Sequence, residues 1–469
     1  MKKDFYFDNA VCHLSDAIKI KTISNADYDM VKWDVYDEFI AFLENTYPNV
    51  HNVCKIEMVN KYSPVYLWEG KNKNVKPILL LGHYDVVPIE ESSEALWEEQ
   101  PFSGVIKDGS VWGRGALDDK NQIIAIMEAV EYLISSGFKP EGDIYIAFGF
   151  DEEVGGERGA KKISELFQQR NLQFDFVIDE GGCVIKDIIE GLSSPIAIIG
   201  IAEKGSTNIK VTVEGKSGHS SMPPRDTSVA MLAKIISNTE NNQMPAKLIS
   251  PVQELFERIA PYMGNKKIIL KNIKTLFPYV NRVLANSPTL NSLIRTTITF
   301  TKLSGGEALN VMPREVSAYA NMRILPGDTV NDTVEHIKKV NSGIDFRIEL
   351  LNKEEASPVS PIDTEGYSII TNIISGIFPE AIAVPYLMAG GTDSRKYYNV
   401  CDNIYRFSSV ILTKENNDSI HSVNEKITIE NFINMIRFYI ELMETCCRET
   451  VVVINPKTPP YSAESKNSN

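Results

Sequence analysis

Two periodicities alternate along the first part of the chain. Ile78 to Leu81 is an unbroken apolar run between Pro77 and Gly82, the pattern of a buried strand. Asp119 to Ser135, "DKNQIIAIMEAVEYLIS", carries apolar residues at helical spacing and stops before Gly137. "DIYIAFGF" (Asp143 to Phe150) predicts another strand, Gly159 to Gln169 a helix, and "FDFVID" (Phe174 to Asp179) a third strand. Strands alternating with helices predict a largely parallel α/β sheet, in which ligands gather at the carboxyl ends of the strands.

From about Glu203 the texture changes. "STNIKVTVEGK" alternates apolar and polar residues as a half-exposed strand does, and "DTSVAMLAKIISNTE" reads as a helix. A mostly helical insert follows around Pro251 to Leu293, after which "TTITFTKLSGG" and "REVSAYANMRI" resume the alternation. The prediction is an α/β catalytic domain over 1–202 and 353–455, interrupted by a smaller α+β lid over 203–352 that carries the helical insert. "INPKTPPYSAESKNSN" predicts a disordered tail over 456–469.

Composition narrows the class. Hydrophobic residues make up 43% of the 469 and charged ones 23%, as in a globular protein. A net charge of -14 argues against nucleic-acid partners but tolerates cations. No apolar run approaches the length that spans a bilayer, and "MKKDFYFDNAVCHL" lacks the apolar middle of a secretory signal, so no membrane partner is expected. The six cysteines (Cys12, Cys54, Cys183, Cys401, Cys446, Cys447) show no CxxC spacing, which predicts reduced thiols and a cytoplasmic location.

The strand ends change the picture. The first strand runs into "GHYDVVP", and because alternate residues of an extended chain share a face, His83 and Asp85 project together. "FDEEVGGERGA" places Asp151, Glu152 and Glu153 after another strand, "FVIDEGG" adds Asp179 and Glu180, "GRGALDDK" puts Asp118 and Asp119 at a helix start, and "DSIHSVNE" supplies His421. Each has a plain structural reading: acids that open a helix usually serve its dipole, and a loop histidine is usually surface. Together they would gather carboxylates at one sheet edge, where mutual repulsion raises pKa values. A pair of divalent cations compensates that, and carboxylate and imidazole donors without thiolate suit zinc, cobalt or manganese. Two metals about 3.5–4 Å apart need a bridging ligand, which a carboxylate supplies.

The ordered run "GHYDVVP", "GRGALDDK", "DEEVGGERGA", "VIDEGG", "GHSSMPP", "GGTDSR" and "HSVNE" resembles the co-catalytic zinc peptidase and amidohydrolase family of aminoacylase, acetylornithine deacetylase, succinyl-diaminopimelate desuccinylase and glutamate carboxypeptidase. "IAEKGS" and "DEGG" look most like its carboxypeptidase S branch, which contains N-acyl-amino-acid hydrolases. The resemblance implies a zinc-peptidase-like three-layer α/β catalytic domain with an inserted lid.

It also implies roles. His83 would bind one metal with Asp85 behind it as orienter, Asp118 would bridge two zinc ions, and Glu153 with His421 would bind the second. Glu152 would be the general base. The remaining ligand would be Asp179 or Glu180, with Asp179 preferred, and Asp119 an ordinary helix cap. His219 of the lid would polarise the scissile carbonyl, from its own chain or from a partner in a homodimer formed through the lid. Asn310, Arg323, Gly390 and Gly391 would bind substrate, the arginine pairing with a carboxylate. Trp97 would pack beneath the site. His13, His51 and His336 lie outside these motifs and read as structural.

The function these features predict is a dinuclear zinc hydrolase cleaving an amide or peptide bond next to a free carboxylate, in a small peptide or an N-acyl amino acid. The helical insert would line an apolar acyl or side-chain pocket. Rivals are a dipeptidase that recognises a free N-terminus and an inactive binding protein on the same fold. The second is disfavoured because every ligand position and Glu152 is filled.

Overall fold

Side chains of the strand Ile78–His83 sort by parity in the computed structural model: Ile78 and Leu80 join one apolar cluster, Leu79 and Leu81 another. The next strand, Ile144–Gly149, does the same, with Ile144, Ile146 and Phe148 on the first side and Ala147 on the second. A strand buried on both faces must be apolar at every position, which is why the period-two signal is absent there. The structure describes residues 8–186, 192 and 194–446; the predicted tail and Cys447 lie outside the described residues.

These strands form the centre of a ten-stranded sheet. Ile78–His83 pairs in parallel with Ile144–Gly149 on one side and with Val177–Asp179 on the other, and Val177–Asp179 pairs in parallel with Ile404–Arg406. Antiparallel strands Lys55–Val59 and Ser63–Trp68 close one edge. Towards the other edge, Ile196–Glu203 pairs in parallel with Ile382–Met388. The helices Asp8–Lys19, Trp33–Thr46, Lys120–Ser135, Glu365–Ile377 and Ile429–Cys446 contribute to the first cluster, and Ala160–Gln169 to the second. The result is three layers, as expected, with predicted helix and strand ends shifted by a few residues, the first strand running on to His83.

Between the two halves of that sheet, Thr297–Ser304, Glu315–Ile324, Gly205–Glu214 and Arg347–Leu350 form a four-stranded antiparallel sheet. Helices Ser228–Asn241 and Val330–Val340 cover it through Leu232, Ile235, Val330 and Ile337. The helical insert takes a different partner. Val252, Leu255, Phe256 and Ile259 of helix Ser250–Ile259 pack with Ile196, Ala202, Val384 and Leu387, which belong to the large sheet. Although the insert falls between strands of the smaller sheet in sequence, its apolar face is a cover for the ten-stranded sheet.

The described cysteines Cys12, Cys54, Cys183 and Cys401 are free. No described helix is long and apolar enough to cross a membrane.

Candidate metal centre

His83 is the last residue of its strand and is buried. Its Nδ1 lies 3.1 Å from the Asp85 carbonyl oxygen and 3.3 Å from Asp85 Oδ1. Donation on that side leaves Nε2 as the donor atom for a cation. Nε2 faces Asp118 Oδ1 at 3.0 Å, Glu180 Oε1 at 3.5 Å and Glu152 Oε2 at 4.0 Å. The other Asp118 oxygen, Oδ2, faces His421 Nε2 at 2.9 Å, and His421 Nε2 lies 3.3 Å from Glu153 Oε2. Two donor groups therefore share Asp118: His83, Asp118 and Glu180 form one, and Asp118, Glu153 and His421 the other, each with ligand atoms within 4.8 Å of one another.

Neighbouring loops fix these side chains. Gly155 at φ 106° and Gly156 at φ 65° turn the chain sharply after the 3-10 turn Glu152–Val154, a backbone that glycine adopts at little cost. Asp151 closes the loop by accepting Tyr28 Oη–H at 2.6 Å and the N–H groups of Arg158 and Gly159, both at 2.8 Å. Asp85 does more than orient His83: its two carboxylate oxygens accept the N–H groups of Glu152 and Glu153, each at 3.1 Å. One buried carboxylate thus couples the orientation of His83 to the placement of Glu152 and Glu153.

At two acids the structure places the side chain differently from the expectation. Asp179 is still paired within the sheet, opposite Arg406, and its Oδ2 accepts the Ser394 N–H at 2.8 Å; Glu180, the first residue beyond the strand, reaches His83 instead. Asp119 occupies the N-cap position of helix Lys120–Ser135 but makes no capping hydrogen bond. Its buried Oδ2 accepts the His83 N–H at 3.4 Å.

Electrostatics follow from burial. It raises the Glu152 carboxyl well above the usual carboxylate range, with Glu180 and Asp393 adding to the effect against the pull of His83. Burial, reinforced by Asp118, pushes Glu180 up to about 8. Burial opposes protonation of His83, yet the hydrogen bonds its ring donates to Asp118, Asp85 and Glu180 hold its pKa well above the usual imidazole range. Hydrogen bonds donated by the His421 ring to Asp118 and Glu153 raise its pKa to about 10. Asp118, despite burial, is held low by His421 and His83. Glu153 Oε1 is buried without a hydrogen-bond partner. Crowded acids, an orphaned carboxylate oxygen and imidazole donors without a thiolate fit a pair of divalent cations, whose charge reverses the penalty of gathering them.

The substrate-side residues are more scattered. Arg323, on strand Glu315–Ile324, donates to the carbonyl of Ala389 at 3.5 Å, so it meets the loop of Gly390 and Gly391. A Cβ at Gly390 would meet nothing within 4 Å, whereas one at Gly391 would come within 2.6 Å of Arg395 Nη1. Packing therefore crowds a side chain at Gly391 but leaves room for one at Gly390. His219 and Asn310 are exposed on the lid, adjacent through the Ser220 N–H to Asn310 carbonyl bond at 3.2 Å. Among the described residues no hydrogen bond or ion pair joins His219 to the carboxylate cluster. Trp97 is buried, its ring under the Arg114 guanidinium. His13 pairs with Glu128 at 2.5 Å, His51 bonds the Tyr47 carbonyl and His336 the Asn242 carbonyl, all away from the site.

Sequence reasoning missed two buried acids. Glu425, the final residue of "HSVNE", accepts the N–H groups of Gly115, Leu117 and Asp118 on Oε1 and pairs with Arg114 through Oε2. Glu203, within "IAEKGS", accepts the Thr392 N–H at 3.0 Å and pairs with Arg406 at 2.6 Å and Arg395 at 3.2 Å, anchoring the "GGTDSR" loop. Both lay inside quoted motifs; the missing signal was a partner, since none of the three arginines is near its acid in sequence.

Comparison with known proteins bears on the family and the fold. The profile of Peptidase family M20/M25/M40 matches residues 79–445. A probable carboxypeptidase S-like 2 of Dictyostelium discoideum is 38% identical over 92% of this chain and 84% of its own length. The N-fatty-acyl-amino acid synthase/hydrolase of Xenopus tropicalis is also 38% identical, over the same shares. The crystal structure of an M20 family metallo-carboxypeptidase from Sulfolobus solfataricus superposes with a TM-score of 0.68 over 94% of this chain and 99% of that one, at 19% identity.

Proposed function

We propose, because the chain belongs to peptidase family M20/M25/M40 and is a metal-dependent hydrolase of peptide or amide bonds, that it carries two zinc ions and cuts an amide next to a free carboxylate. Its substrate would be an N-acyl amino acid or a small peptide. The observation that carries the reading is Asp118, which offers one oxygen to the His83 group at 3.0 Å and the other to the His421 group at 2.9 Å. Cobalt or manganese would suit the same donors.

His83, Asp118 and Glu180 would hold one cation, and Asp118, Glu153 and His421 the other. When bound, the cations supply Lewis acidity, which lowers the pKa of a water and draws electron density from the scissile carbonyl. Glu152 belongs to neither donor group, yet its Oε2 lies 4.0 Å from His83 Nε2. Its carboxylate would take the proton of the attacking water and return it to the leaving nitrogen. Arg323 would pair with the substrate carboxylate, and the Ala389 to Gly391 loop beside it would seat the adjoining chain. His219 would polarise the carbonyl; its exposed place on the lid, clear of the cluster, supports its arrival by lid movement or from a second copy.

The two relatives, one named for a carboxypeptidase and one for fatty-acyl-amino acids, favour this reading over an aminopeptidase or a free-amine dipeptidase. The test is hydrolysis of acyl-amino acids of varied chain length beside dipeptides, by zinc-loaded wild type and Glu152→Ala. Release of the C-terminal amino acid, lost in the variant with metal retained, supports the hydrolase and its base. No turnover of any member by the wild type refutes it.

A further inference from the structure

The helical insert carries a charge pattern unlike the rest of the molecule. No Asp or Glu occurs between Glu257 and Glu307, in a chain whose net charge is -14. Within that stretch Lys266, Lys267, Lys271, Lys274 and Arg282 are all exposed. Among the described residues none of the five makes an ion pair. A basic, acid-free segment on an acidic protein is a local field of opposite sign, and it is not neutralised from within.

Apolar side chains stand among those cations. The short helix Lys267–Lys271 turns Leu270 into the core but leaves Ile268 at 74% exposure. The next helix, Ile273–Leu284, packs Phe277, Val280 and Leu284 against the core with Ile273. Its outer face sets Tyr279 and Val283, four residues apart and therefore neighbours on one side, at 79% and 68% exposure beside Arg282. Helices with apolar residues and an aromatic ring on an outward face, flanked by lysine and arginine, lie well at the boundary of a bilayer. Burial of isoleucine, tyrosine and valine in the acyl region then adds to attraction of the cations by anionic headgroups.

We propose that this outer face of the insert docks on an anionic lipid surface. The expectation of no membrane partner is thereby revised for peripheral contact, though not for a membrane span. The proposal does not depend on the substrate assigned above. It does give the insert's position a use: its inner face packs on Val384 and Leu387 of the strand that runs into the Ala389 to Gly391 loop, so a docked surface lies on the element that leads to the site.

The test is flotation of the full-length protein with vesicles of phosphatidylglycerol and phosphatidylcholine in equal parts, and with phosphatidylcholine alone. The proposal predicts co-flotation with the anionic vesicles only, weakened by salt. The triple variant Lys267→Gln/Lys271→Gln/Lys274→Gln should lower the partition roughly 100-fold, at about one kcal/mol per cation near an anionic surface. Ile268→Asn/Tyr279→Asn should lower it with every charge kept. Hydrolysis of a soluble short-acyl substrate should stay unchanged in both variants, which verifies that they fold. No flotation by the wild type, equal flotation with neutral vesicles, or unchanged flotation of the triple variant would each overturn the proposal.

Discussion

Glu425 accepts the backbone N–H of Asp118 at 3.3 Å, on the oxygen that also takes the N–H groups of Gly115 at 3.0 Å and Leu117 at 2.8 Å. Its other oxygen pairs with Arg114, whose guanidinium also donates to the Ser422 carbonyl at 3.2 Å, one residue beyond His421. A buried ion pair therefore ties the loop of Asp118 to the loop of His421.

Glu425→Gln leaves the buried Arg114 cation without its partner. The expected cost is about 3–5 kcal/mol of stability, as for removal of one member of a buried pair. Metal content should also fall from two towards one per chain, because the group of Asp118, Glu153 and His421 loses its frame. Denaturant unfolding and elemental analysis read the two effects; two tightly held metals in the variant would contradict the role.

Glu180→Gln and Asp179→Asn separate the two candidate ligands. The first should weaken metal binding by more than the roughly 10–100-fold typical of an outer partner. The second should loosen the Ser394 contact and cost less affinity than the first. Competitive chelator titration measures both, and the reverse order would restore Asp179 as ligand.

Stability should depend on pH in opposite senses with and without metal. Glu180 at about 8 and His421 at about 10 both lie above their unfolded values. The folded metal-free chain thus binds more protons than the unfolded one, and their contribution, full below about pH 4.5 and 6.5 respectively, is lost as pH rises through about 8 and 10. Cations compete with those protons, so metal binding should release protons and strengthen as pH rises. Melting temperatures with zinc and with chelator should diverge between pH 6 and pH 9; a constant gap would contradict the shared site.

Mixing Glu152→Ala chains with His219→Ala chains tests where the lid histidine acts. If His219 serves a second copy, a mixed dimer contains one intact site, and activity returns to a measurable fraction of wild type. If it serves its own chain, the mixture stays inactive.

The catalytic sheet was legible because strands buried on both faces must be apolar throughout, and Ile78 to Leu81 and Ile144 to Phe148 are. His83, Asp85, Asp118, Glu152 and Glu153 were legible as acids and an imidazole at strand ends and a helix start, whereas His421, in a loop, was set apart from a surface histidine only through the family resemblance. Periodicity could not show where the sheet pairing of Val177–Asp179 ends, and that single residue sets which of Asp179 and Glu180 faces His83. Nor could it show that Asp119 faces inward, because side-chain direction at a helix start depends on the neighbouring strand. The insert's partner was hidden for a like reason: amphipathic helices declare an apolar face but not the sheet that covers it.

The most direct measurement compares an N-acyl amino acid with its carboxamide on the zinc-loaded enzyme. The two differ only in the charge that Arg323 is assigned to meet. The account predicts a fall in kcat/KM of roughly 30-fold or more on masking the carboxylate, since losing one partner of a buried charge pair costs about 2 kcal/mol or more. Equal rates for the two, or a preference for substrates with a free N-terminus, would contradict it.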